Sequence, residues 1–175
     1  MAGFFLSGII SFFFPAEGPR LKDLSVSASS YGNIIPQVWG TVRTAGDMIW
    51  ATKIKEVKTK KKSGLASFYN EYTYYADFAM GFAKGPVTAL RRIWANGKLI
   101  YDATGNSPHI TTGKYALRFY DGNENQLPDP LMEADKGVGN VPAYRGLAYV
   151  VFENFALTDF GNQIPQIAAE IYAGD

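Results

Sequence analysis

The chain has 175 residues, 47% of them apolar and 15% aromatic, with 17 Lys and Arg against 16 Asp and Glu. That length allows one domain, or two small ones sharing a core, burying roughly 70% of the unfolded surface. A formal net charge of +1 provides no global field toward nucleic acid or a membrane, and the lack of cysteine excludes disulfides, thiolate nucleophiles and thiolate metal sites.

Taken in chain order, residues 1–14 are strongly apolar and include Phe4, Phe5, Phe12, Phe13 and Phe14. No Lys or Arg precedes the run and no small-residue cleavage site succeeds it, which argues against a signal peptide. About 14 apolar residues also fall short of the roughly 20 needed to span a bilayer. Three readings stay open: contact with a partner or neighbouring copy, an apolar strand of the chain's own core, and membrane contact as the least favoured. Because large exposed apolar patches mark interaction sites, the five phenylalanines are expected to touch another subunit. Residues 1–20 then form an apolar N-terminal segment and residues 21–175 a β-rich domain.

The rest of the chain reads mostly as strands. Residues 24–29 alternate with period two. Residues 37–43 and 47–55 read as two strands joined at Thr44-Ala45-Gly46. Six lysines lie between Lys53 and Lys62, and this stretch reads as a hairpin tip or mobile loop. Residues 72–83 form the clearest strand, with Tyr72, Tyr74, Ala76, Phe78, Met80 and Phe82 on one face; its length favours a large curved sheet or barrel wall. Residues 89–95 and 98–102 flank Asn96-Gly97, which accepts the positive φ angles of a type I′ hairpin turn. Residues 115–120 give another strand. Asp129 and Pro130 mark the start of one short helix, as N-cap and first helical residue. A bend at Pro142-Ala143-Tyr144 precedes strands over 147–152 and 164–172. The expected class is mainly β with minor α, a single domain of barrel-like or sandwich sheets.

The search for chemistry finds little. His109 is the only histidine, lies in a turn-like stretch and has no Gly-x-Ser-x-Gly elbow to serve. Asp121-Gly122-Asn123-Glu124-Asn125 lacks the spacing of a calcium loop and reads as a β-turn. Asp159-Phe160-Gly161 imitates a kinase tripeptide without the accompanying glycine-rich and catalytic loops. Gly137-Val138-Gly139 lacks the third glycine of a dinucleotide fingerprint. Asp129 and Glu133 could share a helix face, more simply a solvated one, and the lysine run reads as a solvated loop rather than a nucleic-acid contact. No catalytic, cofactor or metal residue is assigned, and no enzymatic activity is expected. Trp39, Trp50 and Trp94 are expected in the core rather than at an interface.

Several ordered stretches do resemble one family. They are Tyr31-Gly32-Asn33-Ile34-Ile35-Pro36-Gln37-Val38-Trp39-Gly40, Gly46-Asp47-Met48-Ile49-Trp50-Ala51 and Arg92-Ile93-Trp94-Ala95-Asn96-Gly97-Lys98-Leu99-Ile100-Tyr101-Asp102. Pro128-Asp129-Pro130-Leu131, Pro142-Ala143-Tyr144-Arg145-Gly146-Leu147-Ala148-Tyr149-Val150-Val151-Phe152-Glu153 and Asp159-Phe160-Gly161-Asn162-Gln163-Ile164-Pro165 continue the series. Together they resemble the N-terminal region of tail-tip hub proteins, also called central-fibre or baseplate-hub proteins, of long-tailed bacteriophages and gene transfer agents. The resemblance runs from about Leu24 to Ile171.

It implies a structural virion protein at the distal end of the tail that caps the tail tube and forms a homotrimer. The partners it implies are the distal tail protein, tail tube protein, tape-measure protein and a fibre or downstream hub component, with no cofactor and no specific nucleic-acid binding. Family members are usually several times longer, so the chain corresponds to a reduced hub, one part of a split hub or a fragment. A host-attachment or carbohydrate-binding module of the tail tip is the alternative, since exposed Tyr and Trp can stack on sugars.

Overall fold

A computed structural model describes residues 16–17, 34–63, 67–105, 108–110 and 115–174. The element that organises it is β5 (Ser67–Lys84), an 18-residue strand. Its even-numbered side chains Tyr74, Ala76, Phe78, Met80 and Phe82 enter the main core, while Ala79 faces the opposite side. Period-two alternation on a pleated strand produces that division directly.

The two halves of β5 have different neighbours. Along its inner half one edge pairs antiparallel with β10 (Leu147–Ala156) and the other with β3 (Asp47–Ala51). Along its outer half it pairs with all of β4 (Lys55–Ser63), and β1 (Ala16–Glu17) lies parallel to it at Tyr69 and Asn70. Beyond β10, β9 (Ala116–Tyr120) completes this six-stranded sheet. A second, five-stranded sheet has the order β2 (Gly40–Ala45), β11 (Ile167–Ala173), β6 (Ala89–Ala95), β7 (Lys98–Asp102) and β8 (His109–Ile110).

The main core fills the space between the sheets. Phe78 stacks on Phe152 with ring centroids 4.7 Å apart, and Phe155 meets Phe78 edge-on at 5.4 Å. Ile93, Ile100, Ile167 and Ile171 face them from the second sheet. A third layer covers the other side of the first sheet. There Met132 of helix α1 (Pro130–Lys136) and Val141 pack against Trp50, Tyr149 and Val151. The architecture is a β-sandwich with one short helix on its flank, as the strand-rich pattern implies.

Gly46 carries the chain from the second sheet to the first. Its N–H donates to the Ile167 carbonyl at 2.8 Å, and a Cβ there would lie 2.7 Å from the Phe82 ring. Only glycine permits so close a crossing. The Asn96-Gly97 hairpin has φ angles of 47° and 83°, the paired positive values of a type I′ turn. Asp77, buried beside Lys55 at 2.6 Å, accepts from the Asn154 N–H at 2.6 Å and so holds the irregularity of β10 between Phe152 and Phe155.

The lysine-rich stretch departs from expectation. It is a strand, β4, laddered along β5 over nine residues rather than a tip or loop. Lysine is a poor strand former in isolation, but here the ammonium groups sit over aromatic neighbours: that of Lys58 lies 5.5 Å from the Tyr72 ring and that of Lys60 4.8 Å from Phe68. Residues 37–39 join no ladder, and the strand expected at 24–29 lies outside the described residues.

Candidate interaction surface

The residues singled out for chemistry do not converge. His109 is exposed on the short edge strand β8. The 121–125 segment is a turn held by its own side chains: Asp121 accepts from the Asn123 N–H at 3.0 Å, and Asn123 from the Asn125 N–H at 2.8 Å. Asp159 and Phe160 lie in a single 3₁₀ turn closed by Gly161 in the left-handed region. Gly137 caps the C-terminus of α1. Among the described residues, no three His, Cys, Asp or Glu side chains gather where they could hold a metal ion.

Asp129 occupies a different setting from the solvated helix face expected of it. It is completely buried, and its carboxylate accepts from Arg118 Nε at 2.7 Å, Tyr120 Oη at 2.8 Å and the Leu131 N–H at 2.8 Å. The reason is geometric: the N-cap of α1 falls over β9, whose Arg118 and Tyr120 point at it. Burial opposes the charge, but the hydrogen bonds from Arg118 and Tyr120 prevail and hold the Asp129 pKa below the ordinary carboxylate value. Burial and the Asp129 hydrogen bond push Tyr120 up to about 12. Arg118 also donates to Glu153 at 2.6 Å, tying β9, β10 and the helix into one unit. Tyr149 stacks on Tyr120 at 4.5 Å beneath this network.

Gln126 gave no signal in the sequence, yet it joins two loops. Its side-chain oxygen accepts from the Gly122 N–H at 2.8 Å, and its amide donates to the Ala143 and Tyr144 carbonyls at 2.8 and 2.9 Å. The outer face of the second sheet carries another feature that periodicity alone does not reveal. Arg43, Glu170, Arg92 and Asp102 lie in register across four strands, so charge alternates along them, and His109 on β8 stands next in the row. Arg92 reaches both neighbours at 3.3 Å, and hydrogen bonds from Thr104 hold Asp102 down to a pKa of about 2.

What the fold offers outward is surface for contact. Trp39 is 73% exposed just before β2, an edge strand whose ladder partner is β11; Val42 on β2 and, earlier in the chain, Ile34 and Ile35 are exposed as well, Ile35 lying near Asp47, Ile49 and Leu147 of the first sheet. The exposure of Trp39 corrects the expectation of a core tryptophan. Neighbouring Val38 is buried between exposed Gln37 and Trp39. Trp50 is buried as expected and donates to Asp135 at 3.0 Å, and Trp94 is half-buried under the Arg43 guanidinium, 4.0 Å from the ring centroid. Leu127 and Val138 protrude on the helix side, and Val57 and Tyr69 on the β4–β5 hairpin. Phe4, Phe5, Phe12, Phe13 and Phe14 lie outside the described residues.

Comparison with known proteins adds one relationship. No protein-family model matches the chain, and no curated protein does. Among solved structures it is similar to a chain in the virion of a native gene transfer agent particle, at 35% identity with a TM-score of 0.61. The likeness covers 89% of this chain and 30% of that one, so the chain spans about a third of its relative. In sequence and in fold alike, it is similar to a component of a gene transfer agent virion.

Proposed function

We propose that the chain is a structural virion protein of a phage-type particle, acting at the tail tip as a hub domain. In this role it caps the distal tail tube, associates with its own copies as a homotrimer and connects the tube to distal tail and fibre proteins. The single observation that supports a virion role is the 35% identity to a gene transfer agent virion chain along 89% of this sequence. The ordered segments from Tyr31 to Pro165 that resemble tail-tip hubs support the finer assignment.

The physical character of the molecule suits such work. Apolar side chains stand exposed at separate places on the sandwich, including Ile34, Trp39 just before β2 and Val138 after α1. Such side chains are available to assembly contacts without by themselves marking one, because scattered exposure is ordinary on a protein surface. The reading assigns this chain no catalysis. It is tested by measuring the mass of the purified chain by light scattering, then its capture of tail tube and distal tail proteins. A trimer that retains those proteins is expected. A chain that stays single at high concentration and binds no particle component overturns the reading.

A further inference from the structure

The second sheet ends in an open edge. Gly46, just past β2, donates to the Ile167 carbonyl at 2.8 Å, and hydrogen bonding in an antiparallel ladder alternates residue by residue. Gly40, Val42 and Thr44 therefore turn their backbone groups to β11, while Thr41, Arg43 and Ala45 turn theirs away. Among the described residues, no backbone group bonds to the outward N–H and C=O of Thr41 or Arg43. Every residue of β2 except half-buried Thr44 is exposed. Even Val42, on the core side opposite buried Ile171, is 38% exposed. Such an edge is a template for another strand. Two other edges are better protected: β8 is two residues long and β4 is lined with exposed lysines.

The edge specifies what fits it. An added strand must be apolar on the side of Val42 and polar on the side of Thr41 and Arg43. Arg43 adds a charge requirement. Its guanidinium lies over Trp94, and among the described residues it has no ion pair, because Arg91 and Arg92 engage Glu170. Residues 23–28, outside the described residues, carry the matching pattern: Asp23, Ser25 and Ser27 alternate with Leu24, Val26 and Ala28. With Asp23 laid antiparallel opposite Arg43, Leu24 meets Val42 and Ser25 meets Thr41.

The chain's own copy of this segment cannot reach. Glu17 is fixed opposite Asn70 of β5, whereas Thr44 Oγ1 donates to the Phe82 carbonyl at 3.4 Å. The stretch of β5 from Asn70 to Phe82 is roughly 40 Å long, but the chain from Glu17 to Leu24 spans at most about 25 Å. Val42 lies farther on, toward Thr88, whose N–H donates to the carbonyl of Tyr172 opposite Thr41. We infer that residues 23–28 of one copy add as a strand to the open edge of β2 on a second copy. The contact rests on the proposed assembly role and names a surface that role uses. Donor segment and receiving edge differ, so the contact is heterologous, giving a ring where the rotation closes and a filament where it does not.

The chain has no cysteine, so engineered pairs report cleanly. Leu24 and Val42 would face each other as a pair without mutual hydrogen bonds, with Cα atoms about 4.5 Å apart, within disulfide range. Leu24→Cys and Val42→Cys proteins, mixed and oxidised, should give a covalent dimer on a non-reducing gel. Ser25→Cys mixed with Val42→Cys, on opposite faces, should not. In sedimentation, Asp23→Arg should weaken self-association about fivefold, as should Arg43→Asp, with circular dichroism and melting temperature near wild type. Combining the two reversals should recover it. Oligomers without the Leu24–Val42 bridge overturn this contact and leave the assembly role intact. Equal bridging by Ser25→Cys, a bridge closing only within one chain when both cysteines share it, and failure of the double reversal to recover each have the same meaning. A wild type that is monomeric at every concentration overturns both.

Discussion

Arg118 Nε lies 2.7 Å from Asp129 Oδ2, and that ion pair fixes the helix layer to the sheet beneath it. Asp129 is completely buried whereas the Arg118 side chain is about a third exposed. Removing the arginine therefore leaves an uncompensated carboxylate in the interior. Arg118→Ala should destabilise the domain by about 3 kcal/mol, read as a lower urea midpoint at unchanged slope. Asp129→Asn should cost less, because an amide oxygen still accepts from the helix N–H groups, and the charge that loses its partner is the partly exposed Arg118, which keeps Glu153.

The same carboxylate makes stability depend on pH. Its pKa is lowered in the folded chain, so its contribution is fully present above the unfolded value near 3.9 and is lost as pH falls through the folded value. Unfolding free energy should hold steady above about pH 5 and decline below about pH 4. In Asp129→Asn that decline should be shallower. Equal slopes in the two proteins would show that other carboxylates dominate the acid limb.

Which features were legible in the sequence depends on which forces are local. The alternation from Tyr72 to Phe82 needs only the two-residue repeat of a strand, and the side chains from Tyr74 to Phe82 do enter the core. Asn96-Gly97 needs only its own φ preferences, and the Asp129-Pro130 helix start only its capping geometry. The lysines of β4 became a strand because an aromatic partner strand lies beside them, information held some ten residues away. Trp39 looked like core by composition, but it lies exposed next to buried Val38. The Arg43–Glu170–Arg92 relation joins residues distant in sequence through sheet register, and the Arg118–Asp129 pair depends on where α1 lies over β9, neither of which a local sequence pattern displays.

The tryptophans give a direct check on that division. Trp39→Ser removes a side chain that is mostly in solvent, so stability should change by less than about 0.5 kcal/mol. Trp50→Phe deletes the indole donor to Asp135 in a buried position, and should cost about 1 kcal/mol or more. Acrylamide should quench the Trp39 share of the fluorescence readily and the Trp50 share poorly, as comparison of the two variants will show. A large stability loss in Trp39→Ser would place that side chain against the rest of the domain.

Gly122 has φ of +87°, and a Cβ there would lie 2.9 Å from both the Gly85 Cα and the Leu147 carbonyl carbon. Neither backbone can give way, because Gly85 donates to the Gly146 carbonyl at 2.9 Å and Leu147 begins β10. Gly122→Ala should destabilise the domain by at least about 2 kcal/mol. Gly105→Ala, with nothing within 4 Å of the added carbon, should change stability little. Thermal melts of the two variants separate crowding from the general loss of a glycine.

Glu170 is the hinge of the charge row on the second sheet. Its carboxylate accepts from Arg91 at 3.1 Å and Arg92 at 3.3 Å, and Arg43 is its register partner on β2. The arginines are each about a third or more exposed, so water screens much of each attraction, and no single pair is worth more than about 1 kcal/mol. Deleting the shared anion, however, leaves Arg91 and Arg92 without it while Arg43 still faces the vacated position. Glu170→Gln should therefore cost about 1 kcal/mol at low salt, with the loss shrinking at about 1 M salt as repulsion is screened. A loss that does not change with salt would mean that Glu170 acts through packing and hydrogen bonding rather than through its charge.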